Sequence, residues 1–191
     1  MHLKKSYGAQ LLFVIFFVML FPMTATSKVV FNATVSINPL MTINLYVDSF
    51  DNSRTGWTRH GFSPYLNSQN QPTDYVELPS GQELIQEVGD FGFTNSEKSS
   101  ETINSVYLYV YGRREKEQDS FSVYLWDGST WGSPYNLTSS DWAWTSWDVS
   151  SRLDTWVKID SAKIYLMGAN DQDKGQIGAD AAYLYVDFYQ D

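Results

Sequence analysis

The sequence predicts an all-β chain: a two-sheet antiparallel β-sandwich of the jelly-roll kind, with one short helical turn. Three observations predict it. Apolar and polar residues alternate with period two in segment after segment, turn residues recur between those segments, and no long stretch has helical periodicity. About ten strands in roughly 150 residues suit a jelly roll better than an immunoglobulin-type sandwich, which uses fewer.

The chain opens MHLKKSYGAQLLFVIFFVMLFPMTATS. Lys4 and Lys5 precede an apolar run from Leu11 to Phe21, Pro22 ends the run, and Ala25-Thr26-Ser27 supplies small residues. Basic, apolar and small segments in that order make residues 1–27 a secretory signal peptide. The apolar run is shorter than the ~18 residues a membrane span needs. Cleavage after Ser27 leaves about 160 residues, enough for a self-sufficient core. The expected product is secreted or held at the cell surface, with no membrane span.

Residues 28–40 form a strand segment of their own. Val29, Phe31, Ala33, Val35 and Ile37 alternate with Val30, Asn32, Thr34, Ser36 and Asn38, and Pro39 stops the run. Such a strand either pairs within its own sheet or is donated to a neighbouring molecule, which builds a filament. The jelly-roll domain then occupies 41–191.

Within it, Ile43, Leu45 and Val47 oppose Asn44, Tyr46 and Asp48. Shorter strands are expected at Asp74–Leu78, Glu83–Val88 and Asp90–Thr94. Val106, Leu108 and Val110 oppose Tyr107, Tyr109 and Tyr111. Phe121, Val123 and Leu125 oppose Ser122, Tyr124 and Trp126. Ser150–Trp156 is the one helical turn. Ala162, Ile164 and Leu166 oppose Lys163, Tyr165 and Met167, and Leu184, Val186 and Phe188 oppose Tyr183, Tyr185, Asp187 and Tyr189. Each is a half-buried strand with its aliphatic residues inward. Asp127-Gly128, Gly132-Ser133-Pro134 and Gly168 are among the turn signals between them.

Charge and composition narrow the chemistry. Asp and Glu number 22 against 13 Lys and Arg, for a net charge of −9. That excess opposes nucleic acid and anionic lipid. With no cysteine, disulfides, zinc-thiolate sites and thiol nucleophiles are excluded. His60 is the one histidine beyond the leader, and GFSPY at 61–65 lacks the glycine of a nucleophile elbow. Glu115, Glu117 and Asp119 in RREKEQD read as the solvated tip of a hairpin joining the Tyr107 and Phe121 strands, not as a glycosidase pair. No catalytic residue is expected. Calcium is the ion that the acidic loops at 48–52 and 170–175 suit, since carboxylates and loop carbonyls are its ligands. Asn32-Ala33-Thr34 and Asn136-Leu137-Thr138 are sequons for glycosylation.

VDSFDNSRTGW, WDGSTW, DVSSRLDTWVKIDSAKIYL and ADAAYLYVDF together resemble, in pattern, the jelly-roll domains of secreted and cell-surface proteins, carbohydrate-binding modules among them. The resemblance covers roughly residues 43–189. It implies the sandwich fold, a glycan partner, and a structural calcium near the first and last strands, with Asp48 or Asp51 and Asp187 in the corresponding places.

The aromatic residues carry the functional expectation. With aliphatics inside, the tyrosines face outward, more densely than solubility requires, and exposed apolar patches mark contact surfaces. Rings beside Asp, Asn and Gln suit sugars, whose C–H faces stack on them while hydroxyls take hydrogen bonds. The same surface suits packing between protein copies. Four of the seven tryptophans lie in SSDWAWTSWDVSSRLDTW. Trp147 shares a face with Val149 and points inward, and Trp156 is buried at the end of the sandwich. Trp142 and Trp144 share the other face. These two, with Asp141, Trp126 and Tyr124, are the ligand-binding candidates. The expected function is a non-catalytic glycan-binding module, and the alternative is a filament or surface-layer subunit assembled by strand donation.

Overall fold

The computed structural model describes residues 38–47, 57–60, 75–78, 83–91, 100–170 and 176–190. The expected signal peptide at 1–27, the expected strand at Val29–Ile37, the sequon residue Asn32, and Asp48 and Asp51 all lie outside the described residues. No described helix is long and apolar enough to cross a membrane.

Ten strands and one helix follow in order. They are β1 (Leu40–Tyr46), β2 (Thr58–His60), β3 (Tyr75–Leu78), β4 (Glu83–Asp90), β5 (Thr102–Arg114), β6 (Ser120–Trp126), β7 (Tyr135–Asn136), β8 (Ala143–Asp148), α1 (Trp156–Asp160), β9 (Lys163–Ala169) and β10 (Ile177–Tyr189). The first sheet runs β2-β3-β10-β5-β8, with β1 also paired to β10, and the second runs β4-β9-β6-β7. Every pairing is antiparallel. With the β2–β3 hairpin set aside, the remaining eight strands, renumbered in chain order, run 1-8-3-6 in one sheet and 2-7-4-5 in the other. That is the jelly-roll order, two interleaved Greek keys. The predicted fold class is therefore the observed one.

The alternation explains the layers. On β5 buried Val106, Leu108 and Val110 alternate with half-buried tyrosines, and on β6 buried Phe121, Val123 and Leu125 alternate with Ser122, Tyr124 and Trp126. These residues join Ile164 and Leu166 of β9 and Leu184, Val186 and Phe188 of β10 in one core between the sheets. Trp147 faces this core, opposite Leu108, and stays half-buried because β8 is the last strand of its sheet. Trp156 is buried, as expected, and its Nε1 donates to the Glu101 carbonyl at 2.7 Å.

Three local expectations are corrected. Glu115–Asp119 is not a hairpin tip, because β5 belongs to the first sheet and β6 to the second, so the segment crosses between sheets. Glu115 and Glu117 are exposed, but Asp119 is buried, and Arg114 Nη1 donates to its carbonyl at 2.8 Å. The acidic loop after Asn170 likewise leads from β9 to β10, across the sheets; residues 171–175 lie outside the described set. Glu83–Asp90 is one strand, with a register shift between Glu87 and Gly89. The rest of the proposed strand at Asp90–Thr94, beyond buried Phe91, is outside the described residues. The helix begins at Trp156, where the predicted turn was to end, because Thr155 caps it by accepting from the Lys158 amide.

Candidate functional site

Because the two sheets pack through their aliphatic faces, their outer faces point in opposite directions. The candidate residues divide between them. Trp142 and Trp144 belong with the first sheet, and Tyr124 and Trp126 with the second. The structure does not bring the five together as one site.

On the first sheet, Trp144 lies opposite Tyr111 on β5, Tyr109 lies opposite Tyr183 on β10, and Tyr183 lies opposite Tyr46 on β1. The rings meet across all four strands. Tyr46 and Tyr183 are 5.0 Å apart, Tyr183 and Tyr109 stack at 4.9 Å, and Trp144 meets Tyr183 edge-on at 5.2 Å. Trp144 also contacts Tyr111 at 5.3 Å, and Tyr111 stacks on Trp142 at 5.8 Å. Cross-strand ring pairs of this kind stabilise a sheet face as well as displaying it.

Trp142 is half-buried and held from two sides. Arg113 lies 5.1 Å from its ring centre, as a cation–π partner, and Arg113 also donates to Gln176 Oε1. A side chain at Gly178 would meet the Trp142 ring at 3.0 Å, so the ring edge rests on bare backbone. Trp142 and Trp144 do share a face, as the strand phase required, but their rings are half-buried. Asp141 is exposed, and its carbonyl accepts from Ser139 Oγ at 2.8 Å.

The electrostatics of this face follow from crowding. Burial pushes the phenols of Tyr183 and Tyr185 above their ordinary value, with neighbouring tyrosines adding to it and, for Tyr185, the Asp187 carboxylate as well. Asp148, opposite Tyr107, is lowered by the hydroxyl and amide of Ser150, which both donate to it.

On the second sheet, Tyr124 and Tyr165 stack at 4.4 Å. Trp131, which follows β6 in the loop to β7, stands edge-on to Tyr165 at 4.6 Å and lies 5.4 Å from Trp126. Trp131 is 37% exposed. Its loop is tied down tightly. Asp127 accepts from the amides of Ser129 and Thr130 at 2.9 and 2.8 Å and from the Ser129 hydroxyl at 2.8 Å. Arg152 Nη2 bridges Asp127 Oδ2 at 2.6 Å and the Thr130 carbonyl at 2.8 Å. These donors, led by the Thr130 amide, hold the Asp127 carboxyl far below the usual carboxylate range. Gly128 turns the loop at φ +92°, where a side chain would be strained and would strike Ser161. Sequence reasoning placed Tyr165 on the outer face but passed over Trp131, Asp127 and Arg152 as site residues. Trp131 sits in a loop with no period to read.

The remaining candidates fall elsewhere. Asn136 is exposed on β7, beside Ser122, whose hydroxyl donates to its Oδ1 at 2.7 Å. Asp187 lies opposite Thr42 and Ser105, and Ser105 Oγ donates to it at 2.9 Å. Val47, the residue before Asp48, donates to the carbonyl of Ala182, five residues from Asp187 along β10. At ~3.3 Å per residue the register carries that end of β1 about 17 Å from Asp187. The β10 carboxylate nearest that end is Asp180, fully buried at a bulge between Ala179 and Ala181. Among the described residues, no group of three or more His, Cys, Asp or Glu is placed to hold a metal. A depression of about 280 Å³ near α1, lined by Ile103, Thr155, Trp156 and Val157, contains none of the candidates.

No family model matches the chain, and no curated protein matches it. Among solved structures, the chain is similar to "Family 16 Carbohydrate Binding Module-2", with 12% identity and a TM-score of 0.43, over 73% of this chain and 92% of that one. It is also similar to TmCBM61 in complex with β-1,4-galactotriose, with 15% identity and a TM-score of 0.31, over 79% of this chain and 86% of that one. The jelly-roll assignment rests on the strand order of this chain itself.

Proposed function

We propose that this protein is a non-catalytic, exported glycan-binding module. The observation that carries the proposal is the chain of rings from Tyr46 through Tyr183, Tyr109, Trp144 and Tyr111 to Trp142, continuous across four strands. A continuous aromatic face, its rings partly stacked and partly edge-on, offers contact to the C–H faces of a polymer's sugars, and Asn44 and Ser146 on the same strands offer hydrogen bonds to hydroxyls. Affinity electrophoresis of the mature protein through gels containing galactan, xylan or a soluble cellulose derivative tests it. Wild type is retarded in at least one gel, and the double variant Trp142→Ala/Trp144→Ala binds at least about tenfold more weakly. Full binding by the double variant removes this face as the site.

One observation favours the filament alternative. Leu40, Met41 and Tyr46 of β1 and Tyr189 of β10 are exposed large apolar residues along one border of the first sheet. Exposed apolar edge strands invite pairing with another copy. Electron microscopy and size-exclusion chromatography of protein beginning at Lys28 decide it, since a monomer excludes strand donation by Val29–Ile37.

The proposal also includes a structural calcium at the Asp48–Asp51 loop, with Asp180 in place of Asp187 as the β10 ligand, and glycosylation at Asn32 and Asn136 in a host able to add it. EDTA then lowers the melting temperature, and an unchanged melt removes the metal.

A further inference from the structure

We propose that the corner formed by Trp131, Trp126, Tyr165 and Tyr124 is a second sugar-binding subsite, on the side of the sandwich opposite the first. Its ligand is a neutral sugar ring of a polysaccharide chain, so that one molecule bridges two chains. The inference rests on the glycan-binding reading and adds to it a second face and a cross-linking role.

Three features carry it. The corner has two aromatic walls at an angle: Tyr165 is stacked with Tyr124 at 18°, while Trp131 stands at 63° to Tyr165. A single sugar ring seated there meets one wall with its face and another with its edge. Next, the loop that presents Trp131 is fixed before any ligand arrives. Asp127 holds the Ser129 and Thr130 amides, and Arg152 reaches from the turn after β8 to Asp127 and the Thr130 carbonyl. A side chain on Gly132, the residue after Trp131, would meet the Arg152 guanidinium at 3.0 Å, so the clamp closes directly against the loop. Fixing a loop in its binding conformation removes the ordering cost from the binding step. Finally, the loop carries no unpaired carboxylate. In a chain of net charge −9, the one carboxylate in this loop is neutralised by Arg152. Lys163, opposite Trp126, and Ser122, on the same face of β6 as Tyr124, continue it with hydrogen-bond donors suited to sugar hydroxyls. Asp127 and Arg152 are positioning residues in this scheme; the stacking groups are the rings.

The test uses the mature full chain in the same galactan, xylan and cellulose-derivative gels, with Trp131→Ala, Arg152→Leu and Trp142→Ala/Trp144→Ala beside wild type. Near-UV circular dichroism reports the Trp126–Trp131 ring pair, and thermal melts report folding. Trp131→Ala is expected to weaken retardation by about tenfold while lowering the melt only slightly and keeping a single cooperative transition. Arg152→Leu is expected to lose part of the Trp126–Trp131 dichroism and several-fold in affinity, with Arg152→Lys recovering some of both. Wild type alone captures soluble polysaccharide onto beads of insoluble polysaccharide, and either Trp131→Ala or the double variant abolishes capture. If Trp131→Ala is retarded like wild type, the second subsite is overturned while glycan binding stands. If no gel retards wild type, both readings fall.

Discussion

The two outer faces of the sandwich use the same residue types in different ways. On the first sheet the rings grow from the strands themselves, and each is braced by its cross-strand neighbour. Tyr183 alone touches Tyr46, Tyr109 and Trp144. On the second sheet the most exposed ring, Trp131, comes from a loop and is braced by polar groups at its base. The first arrangement makes display and stability the same interaction. The second adds a polar clamp beneath a ring that also leans on Trp126 and Tyr165, so less of the fold depends on the presented ring. An aromatic surface in a β-sandwich is thus two kinds of object, and the hydrogen bonds around a ring distinguish them better than its exposure does.

The largest expected effect tests that coupling. Tyr183→Ala removes the hub of the first face and is expected to cost ~2–4 kcal/mol in urea denaturation, through lost packing and three lost ring contacts. A cost as small as that of a surface change would show the face to be display only. Next comes the clamp. Arg152→Leu is expected to cost ~1–2 kcal/mol, since it breaks an ion pair and strips the Thr130 carbonyl of a donor. Trp131→Ala is expected to cost about 1 kcal/mol, less than Tyr183→Ala, since its ring is 37% exposed and meets two rings rather than three. A larger loss would make Trp131 a structural ring like Tyr183.

The pH limbs sharpen the comparison further, with smaller effects. Asp127 has its folded pKa depressed, so its contribution is present above the ordinary carboxylate range and is lost as pH falls through the depressed folded value. Asp127→Asn therefore flattens the acid limb of a stability-against-pH curve. Tyr183 and Tyr185 are raised, so their contribution is complete below the ordinary phenol pKa and is lost as pH rises above it. Tyr183→Phe flattens the alkaline limb. The two faces should thus fail at opposite ends of the pH scale, and chemical denaturation across that scale checks it.

Much of this was legible in the sequence, for a definite reason. Period-two alternation reports which face a residue is on, so the inward set Val106, Leu108 and Val110 and the outward tyrosines were readable directly. The same signal assigned Trp144 outward and Trp147 inward. What alternation does not report is which sheet a strand joins. Both sheets are aliphatic inside and aromatic outside, so Tyr124 and Trp142 carry the same sequence signature while facing opposite ways. For that reason the candidate residues were grouped together although they lie on two faces. Segments with no period were harder still. Asp119 reads as one more solvated acid of RREKEQD, yet the crossing between sheets buries it. The three-residue β2 and two-residue β7 are too short to alternate visibly.

The position of β10 has a consequence for how the chain reaches this state. Among the described strands it comes last in the chain, yet it lies in the middle of its sheet and pairs with β1, β3 and β5. Until it is present, those three strands have no common partner, and the first sheet cannot close. Pairings this distant in sequence are slow to form, because a long loop must be ordered before any contact repays it. A growing chain therefore leaves β1, β3 and β5 without this partner until β10 emerges, so the first sheet waits on its last-made strand. Its exposed apolar strands meanwhile need a chaperone's protection.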